Sequence, residues 1–176
     1  MWGVQTGIPP RELHVDPGKE FKNYVNITQL TAHGMLLQFT AVDTPAQNGP
    51  AERAGRVIVE AARCMMLAAG IPHDLWLYAV RTATTVINLL PASANAGSMS
   101  PHEALNQFLP TEDKKPYIRH LRTFGCTAYV HKKGVLKPNR ADKLQPRALK
   151  GKLIGYDSLY GHIYYVWSPH TDKVYR

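Results

Sequence analysis

Cysteine is scarce in this sequence: Cys64 and Cys126 are the only two among 176 residues. Two cysteines are too few for a disulfide framework or a cysteine-rich zinc site, and no His-x₃₋₅-His pair accompanies a Cys-x₂-Cys pair. The chain also lacks a run of about 18 apolar residues, and it lacks the basic and apolar segments of a secretory signal. These absences predict an intracellular protein without a transmembrane helix or a membrane partner.

Acidic residues are rare in the C-terminal third of the chain. Residues 114–176 hold 14 lysines and arginines against 3 aspartates and glutamates, whereas residues 1–113 hold 7 against 10. The two segments therefore carry net charges of +11 and −3. A basic module of this kind is expected to face a polyanion, with nucleic acid as the first candidate and an ordinary solvated basic surface as the alternative.

The N-terminal pattern predicts a parallel crossover unit. Residues 13–15 form a short apolar run before an Asp-Pro-Gly turn signal, which predicts a strand that delivers Asp16 to its C-terminal end. Residues 19–30 have mostly helical spacing, and residues 35–39 are a second strand candidate. A strand, a helix and a strand of this length are typically connected in parallel.

Helices are predicted for the middle of the chain. Residues 50–70 form an amphipathic pattern that a proline opens after an expected loop at 44–49, and Glu52 lies in the first turn. A second helix is expected over residues 72–91. The Ser-Pro-His-Glu sequence at 100–103 predicts a capping box at the start of a short third helix.

Beyond residue 118 the apolar pattern changes to a period of two. Four segments show the alternation that is typical of strands: residues 123–131, 151–156, 163–167 and 173–175. Four short strands in about sixty residues indicate a small β-barrel. No internal repeat is visible.

Two carboxylates have positions that suit a metal site. Asp16 follows a strand and Glu52 opens a helix, with residues 17–51 between them. Strand ends of an open α/β sheet point into the crevice where ligands bind, and hard carboxylate oxygens suit Mg²⁺ or Mn²⁺. Each residue also has an ordinary explanation, Asp16 as a turn residue and Glu52 as a helix-start residue.

Five motifs resemble the integrase of copia-type retrotransposons and the domain that follows it. They are "VDPGKEF" at 15–21, "TPAQNGPAER" at 44–53, "SPHEAL" at 100–105, "HLRTFGCTAYVH" at 120–131 and "KGKLIGYD" at 150–157. They stand in family order, and the resemblance covers nearly the whole chain. The resemblance implies an α/β fold class with three segments: a partial RNase H-like (retroviral integrase) core with C-terminal helices in residues 1–112, a linker at 113–118, and a small SH3-like β-barrel in residues 119–176.

The resemblance also implies a chemistry. The family core carries an Asp, Asp, Glu triad whose last two members match the spacing of Asp16 and Glu52, as catalytic residues and metal ligands. With Mg²⁺ or Mn²⁺, the family enzyme trims the ends of element DNA and joins the new 3′-hydroxyl to target DNA. Asn48 resembles a loop residue near substrate DNA, with turn chemistry as its alternative. Arg53 and Arg56 could contact phosphate or lie on a solvated helix face.

The C-terminal basic cluster supplies the other DNA-binding candidates. They are Lys132, Lys133, Lys137, Arg140, Lys143 and Lys150, with Arg147 and Lys152 in the same cluster. The aromatic residues that follow are Tyr156, Tyr160, Tyr164, Tyr165 and Trp167. Basic residues beside aromatic rings suit phosphate contact and base stacking, whereas alternating tyrosines in a small barrel are usually core residues or cross-strand pairs.

The match to the family triad is incomplete. The first Asp of the triad belongs well upstream of Asp16, and Asp43 and Asp74 do not fit it in order or context. We therefore expect a catalytically incomplete fragment that acts in the nucleus on DNA, at element ends and at the target. RNA is a second candidate partner, a homo-oligomer is considered, and no small-molecule substrate is expected. Two other hypotheses stand beside this one: a non-enzymatic nucleic-acid-binding remnant acting through the basic barrel, and an interaction protein that dimerises through the helices at 50–90.

Overall fold

The computed structural model describes residues 11–15, 24–39, 45–109, 115–131, 146–157 and 163–176. The chain divides into two compact units, residues 1–56 and 57–176. None of the helices in the described ranges is both long enough and apolar enough to cross a membrane.

The first unit contains two parallel strands joined through a helix. Its elements are β1 (Glu12–Val15), α1 (Tyr24–Ala32) and β2 (Leu36–Phe39). β1 pairs with β2 in parallel, with Glu12 opposite Leu36 and Val15 opposite Phe39. Gly34, at a φ of 74°, turns the chain out of α1 toward β2. The predicted strand–helix–strand crossover is thereby confirmed.

Helix α2 (Pro45–Ala69) begins five residues earlier than the sequence predicts. The expected loop over 45–49 and the expected start at Pro50 are therefore wrong. Both Pro45 and Pro50 suit a first helical turn, because the missing N–H of a proline there would have no intrahelical partner in any case. The sequence thus contains two equivalent start signals, and the structure uses the first, which places Glu52 in the third turn.

In the second unit, α2 ends at a glycine cap. The Ile71 N–H donates to the Met66 carbonyl oxygen at 3.1 Å and the Gly70 N–H donates to the Leu67 carbonyl oxygen at 3.3 Å. These paired bonds are typical of a helix that stops at a left-handed glycine, and the φ of Gly70 is 57°. The remaining helical elements are a 3₁₀ turn (His73–Leu75), α3 (Trp76–Leu89), a second 3₁₀ turn (Ala96–Ser98) and α4 (Pro101–Asn106).

Four strands form an antiparallel sheet in the second unit. In spatial order they are β3 (Thr127–His131), β4 (Ala148–Tyr156), β5 (Tyr164–Ser168) and β6 (Lys173–Tyr175). The four period-two segments are thus confirmed as strands, although β3 starts later than predicted and β4 starts earlier. A β-bulge between Leu153 and Gly155 shifts the register of β4 against β5.

Apolar side chains cover both faces of this sheet. On one face Ile154 and Trp167 pack with Ile71, which follows the end of α2. On the other face Leu153 and Val166 form a second cluster. A third cluster joins α2 to α3 through the buried alanines Ala62, Ala79 and Ala83. The predicted boundary at 113–118 lies inside this unit, and the division into domains at 1–112 and 119–176 stays a prediction.

At the C-terminal end of α2, the Ala69 methyl group lies against the backbone of Gly125, whose N–H donates to the Leu153 carbonyl oxygen of β4 at 2.7 Å. A Cβ atom at Gly125 would lie 2.2 Å from the Ala69 Cβ atom, which is far inside van der Waals contact. The Lys152 ammonium donates to the Ala69 carbonyl oxygen at 2.5 Å, at the helix end where carbonyl groups lack intrahelical partners. The buried Thr82 hydroxyl of α3 lies 3.3 Å from the Ile154 carbonyl oxygen of β4. The helices and the sheet are therefore fastened by backbone contacts as well as by apolar packing.

Gly125→Ala is expected to lower the free energy of unfolding by about 3 kcal/mol or more, because the new methyl group collides with Ala69 while the residue must keep a left-handed φ. Gly97→Ala is the matched control, since Gly97 also has a positive φ but nothing lies within 4 Å of a Cβ atom there. Its loss is expected to be about 1 kcal/mol. Urea denaturation measures both variants, and equal losses would contradict the close contact.

Candidate functional site

The predicted catalytic pair is only partly included in the described residues. Asp16 lies outside them, directly after Val15, the buried last residue of β1. Val15 pairs with Phe39, the last residue of β2, so the C-terminal ends of the two parallel strands meet at one edge. Val15 is thus the last described residue before Asp16, and the position of Asp16 at this edge stays a prediction. Its distance from Glu52 stays a prediction.

Glu52 lies on α2 with an exposed side chain. It is seven residues from the start of the helix, which corresponds to about 10 Å along the helix axis. The helix-start explanation for Glu52 is wrong, because the first turn of α2 contains no acidic residue. Glu52 makes no hydrogen bond or ion pair with another described residue. Across the described ranges, no group of three metal-ligating side chains is present.

The other DNA-binding candidates of the first unit also lie on α2. Asn48 belongs to the first turn, so the turn explanation for it is wrong, and its side chain is outside the described part. Arg53 and Arg56 are exposed. Because residues four apart share a helix face, Arg56 lies on the same face as Glu52. The helix thus presents a carboxylate and a guanidinium together on one exposed face.

Most of the predicted basic DNA-binding residues lie outside the described residues. They are Lys132, Lys133, Lys137, Arg140 and Lys143, in the segment that follows His131. Lys150 is described, and it lies exposed on β4 directly opposite Tyr129 of β3. Residues opposite each other in an antiparallel pair point to the same face. Lys150 of the predicted basic cluster therefore lies on the sheet beside Tyr129, an aromatic residue that the sequence analysis missed.

A cleft of about 250 Å³ adjoins Lys150. Its walls are formed by Thr127, Lys150, Gly151, Lys152, Pro169 and His170. Thr127 is opposite Lys152, and Tyr129 is opposite Lys150, so these four residues share one face of the sheet. The alternation of Thr127, Tyr129 and His131 with the less exposed residues of β3 is the sequence signal that could have identified this face.

The aromatic residues considered for base stacking belong to the core. Tyr156 and Trp167 are buried. Tyr164 and Tyr165 are partly buried, and the hydroxyl group of each is hydrogen-bonded within the protein. Tyr160 is outside the described residues. The alternative explanation, that the alternating aromatic residues are core residues, is thus confirmed for these four.

Lys152 differs in role from the basic cluster around it. Its side chain is partly buried, and its ammonium group donates to the Ala69 carbonyl oxygen at the end of α2. A positive charge at a helix C-terminus interacts favourably with the helix dipole. Lys150 is therefore the lysine of β4 that faces solvent.

Two of the motifs behind the resemblance form side-chain hydrogen bonds to backbone groups within the second unit. In "SPHEAL", the Ser100 hydroxyl accepts the Glu103 N–H at 3.1 Å and the Glu103 carboxylate accepts the Ser100 N–H at 2.9 Å, a complete capping box. The Ser100 N–H thereby lowers the pKa of Glu103. In "KGKLIGYD", the Tyr156 hydroxyl donates to the carbonyl oxygen of Arg122 and accepts its N–H, both at 2.7 Å. Burial raises the pKa of Tyr156, which keeps the hydroxyl protonated as a donor.

Asp157 joins the end of β4 to β5 and to the C-terminal residue. Its Oδ1 atom accepts the Tyr165 hydroxyl at 2.7 Å, and its Oδ2 atom accepts Arg176 Nη2 at 2.5 Å. The Tyr165 hydroxyl, followed by Arg176, lowers the pKa of Asp157, and the same hydrogen bond raises the pKa of Tyr165. The Arg81 guanidinium of α3 lies over the Tyr165 ring, 5.8 Å from its centroid.

The sequence of the chain is similar to those of known proteins. The retroviral polymerase SH3-like domain family matches residues 126–176, which contain all four strands of the antiparallel sheet. The chain is 34% identical over 173 residues, 98% of its length, to the retrovirus-related Pol polyprotein from transposon TNT 1-94 of Nicotiana tabacum. It is 32% identical over 143 residues, 81% of its length, to the retrovirus-related Pol polyprotein from transposon RE1 of Arabidopsis thaliana.

The chain spans about a tenth of the length of these two polyproteins, 12% and 9% respectively. It is also 35% identical over 97 residues to an uncharacterized mitochondrial protein of Arabidopsis thaliana. That match covers 55% of this chain and 69% of the mitochondrial protein.

Asp157→Asn is expected to lower the urea midpoint of unfolding at pH 7, because the neutral amide loses the charge that Arg176 and the Tyr165 hydroxyl stabilise. The folded-state pKa of Asp157 lies below the ordinary value of 3.8, so this stabilisation is present above that pH and is lost as the pH falls through the lowered value. The difference between wild type and variant should therefore shrink in acid.

Unfolding curves of both proteins at pH 7 and at about pH 2.5 check this expectation, since the acid point lies below the ordinary aspartate pKa. Glu60→Gln, at an exposed position of α2, serves as the control for losing a carboxylate. A difference between wild type and Asp157→Asn that is unchanged in acid would rule out the charge as its cause.

Proposed function

Because the chain belongs to the retrovirus-related Pol polyproteins of copia-type transposons, we propose that it is a part of the integrase region of such a polyprotein. Its function in that region is DNA integration, that is, metal-dependent trimming of element DNA ends and their joining to target DNA. The observation that carries this proposal is the position of Glu52 on an exposed face of α2. This helix follows the parallel strand pair β1 and β2, and Asp16 is the residue after β1 in the sequence.

The first unit would form part of an RNase H-like core. The β1–α1–β2 crossover supports this assignment, because parallel strands joined through a helix are the unit of an open α/β sheet. Such a sheet binds its ligands beyond the carboxyl ends of the strands. β1 and β2 end together at such an edge. α2 follows after residues 40–44, so the chain connectivity keeps the start of the helix near that edge.

Asp16 and Glu52 would hold Mg²⁺ or Mn²⁺ in this role. The donor set fits, because carboxylate oxygens are the ligands that these hard cations prefer, and Glu52 is exposed with no described side chain bound to it. A bound ion of this kind stabilises the charge of a phosphate under in-line displacement and lowers the pKa of the attacking hydroxyl.

The arginines of α2 would position the DNA backbone. Arg56 lies on the same helix face as Glu52, where its guanidinium can hold a phosphate next to the carboxylates. Arg53 and Asn48 lie within a turn of Glu52 on either side. Contacts to phosphate fix the register of a protein on DNA and carry no sequence information, so these residues would orient the DNA end without selecting it.

The proposed triad has two of its three carboxylates within these 176 residues. The first one has no counterpart in the proposed site, and we expect the chain by itself to carry out no strand transfer. Its substrate would be DNA, at element ends and at the target, and the nucleus is the compartment where such an enzyme meets chromosomal DNA.

A second candidate function is nucleic-acid binding without catalysis, through the basic SH3-like domain. The exposed Lys150 beside the exposed Tyr129 supports it, as does the basic segment that follows β3. This activity requires no triad. RNA would serve as well as DNA, since the phosphate backbone dominates such binding.

Mn²⁺ added to the ¹⁵N-labelled chain is expected to broaden amide signals around Glu52, because carboxylate oxygens attract a hard paramagnetic cation. Glu52→Gln should remove that broadening, and Asp16→Asn should weaken it if the two carboxylates share the ion. Glu60→Gln, two turns further along α2, is the matched control and should leave it unchanged. Broadening that persists in Glu52→Gln would contradict a metal site at this residue.

The affinity for duplex DNA is expected to fall with salt by a log–log slope of about −0.9 per phosphate contact. Replacing Lys132 and Lys133 together with glutamine should make that slope shallower by about 2. The double variant Lys115→Gln, Lys173→Gln removes the same charge outside the basic segment and should change the slope less. An affinity that does not respond to salt would exclude phosphate contact by the basic domain.

A further inference from the structure

The face of the sheet that carries Lys150 is covered along only part of its length. Toward Ile154 it packs against Ile71 and Tyr78, on the helical side of the second unit. Toward the β3 end it is open, and Tyr129 there is 69% exposed. The open part is the cleft of about 250 Å³ beside Lys150, with Tyr129 as its neighbour on β3.

The chemistry of the cleft suits an anion. Thr127 supplies a hydroxyl, His170 an imidazole and Lys150 an ammonium, and Lys152 adds a second positive charge from its place at the end of α2. The carboxylate nearest in sequence to His170 is Asp172, whose Oδ1 atom accepts the Trp167 indole N–H at 3.0 Å. In the described part of the SH3-like domain, this cleft therefore contains both positively charged and neutral hydrogen-bond donors for an anion.

The size of the cleft limits what it can enclose. Pockets that enclose a drug-sized ligand have volumes of roughly 300–1,000 Å³, so a cleft of about 250 Å³ lies below that range and suits a group smaller than a whole nucleotide, such as a phosphate. The base of a bound nucleotide would lie outside the cleft. Tyr129, two residues from Thr127 on the same strand face, is the exposed aromatic residue beside the cleft.

We propose that this cleft, together with Tyr129, binds single-stranded nucleic acid, with a backbone phosphate held by Thr127, Lys150 and His170 and the adjoining base stacked on the Tyr129 ring. The proposal rests on the nucleic-acid partner of the proposed function. It adds the requirement for an unpaired strand, because the faces of bases inside a duplex are covered by their neighbours and only a splayed base can stack on a side chain.

The test uses fluorescence anisotropy with the purified 176-residue chain and one labelled DNA sequence, as a single strand and as a duplex. The unaltered chain should bind the single strand more tightly than the duplex. Tyr129→Ala should weaken single-strand binding about tenfold, since stacking of one base is worth about that factor, and should leave duplex binding unchanged. Tyr129→Phe keeps the ring and should bind as the wild type does.

The phosphate contact is tested through the salt dependence. Lys150→Gln should make the log–log slope for the single strand shallower by about 0.7, the value for one phosphate contact. Lys173→Gln is the matched control, because Lys173 pairs with Ser168 and lies on the other face of the sheet. It should leave the slope nearly unchanged. A matched RNA strand shows which of the two nucleic acids is preferred, and either preference is consistent with the site.

Two results would overturn the proposal in distinguishable ways. If Tyr129→Ala binds the single strand as tightly as wild type while neutralising Lys132 and Lys133 abolishes binding, the nucleic-acid function stands and the cleft is excluded. If the unaltered chain binds neither form at low salt, both the cleft and the nucleic-acid function of the domain are excluded. Thermal unfolding followed by circular dichroism confirms that each variant is folded, which is expected because the side chains of Tyr129 and Lys150 are exposed.

Discussion

The contact between the end of α2 and the antiparallel sheet is the constraint on which the second unit depends. At Gly125 the chain approaches Ala69 so closely that no side chain fits between them. The Lys152 ammonium then neutralises the carbonyl end of the helix, where the dipole is negative. Apolar clusters alone would tolerate sliding of a helix across a sheet, because dispersion and burial have little directionality. The Ala69 methyl group against the Gly125 backbone, together with a charged hydrogen bond, fixes one position.

The residues of the sequence motifs differ in whether their polar groups are hydrogen-bonded within the second unit or exposed. Ser100 with Glu103 and Tyr156 with Arg122 satisfy backbone groups, and Asp157 satisfies the Tyr165 hydroxyl. Such side chains have their hydrogen-bonding capacity in use. Glu52, Arg56, Tyr129 and Lys150 are instead exposed on helix and strand faces. Sequence motifs that identify a family can therefore consist mainly of residues that stabilise its fold.

Local signals in the sequence predicted local structure well. The glycine end of α2, the Ser100–Glu103 capping box and the period-two strands all depend on residues close together in the chain, and all are confirmed. The start of α2 was mispredicted because Pro45 and Pro50 carry the same local signal. The roles of Lys152 and Tyr129 depend on strand register and on which half of a sheet face the helices cover. Neither can be derived from the spacing of residues in the sequence. The distance between Asp16 and Glu52 likewise depends on tertiary structure and cannot be derived from their spacing.

The Ala69–Gly125 contact has a consequence for how copies of this sequence diverge. Transposon-derived copies accumulate substitutions, and most surface positions absorb them with small effects on folding. Positions 69 and 125 cannot change independently, since a side chain at position 125 requires the space that the Ala69 methyl group occupies. Among diverged copies that still fold, this pair should therefore stay small together, while copies in which either residue has enlarged should have lost the docked helix.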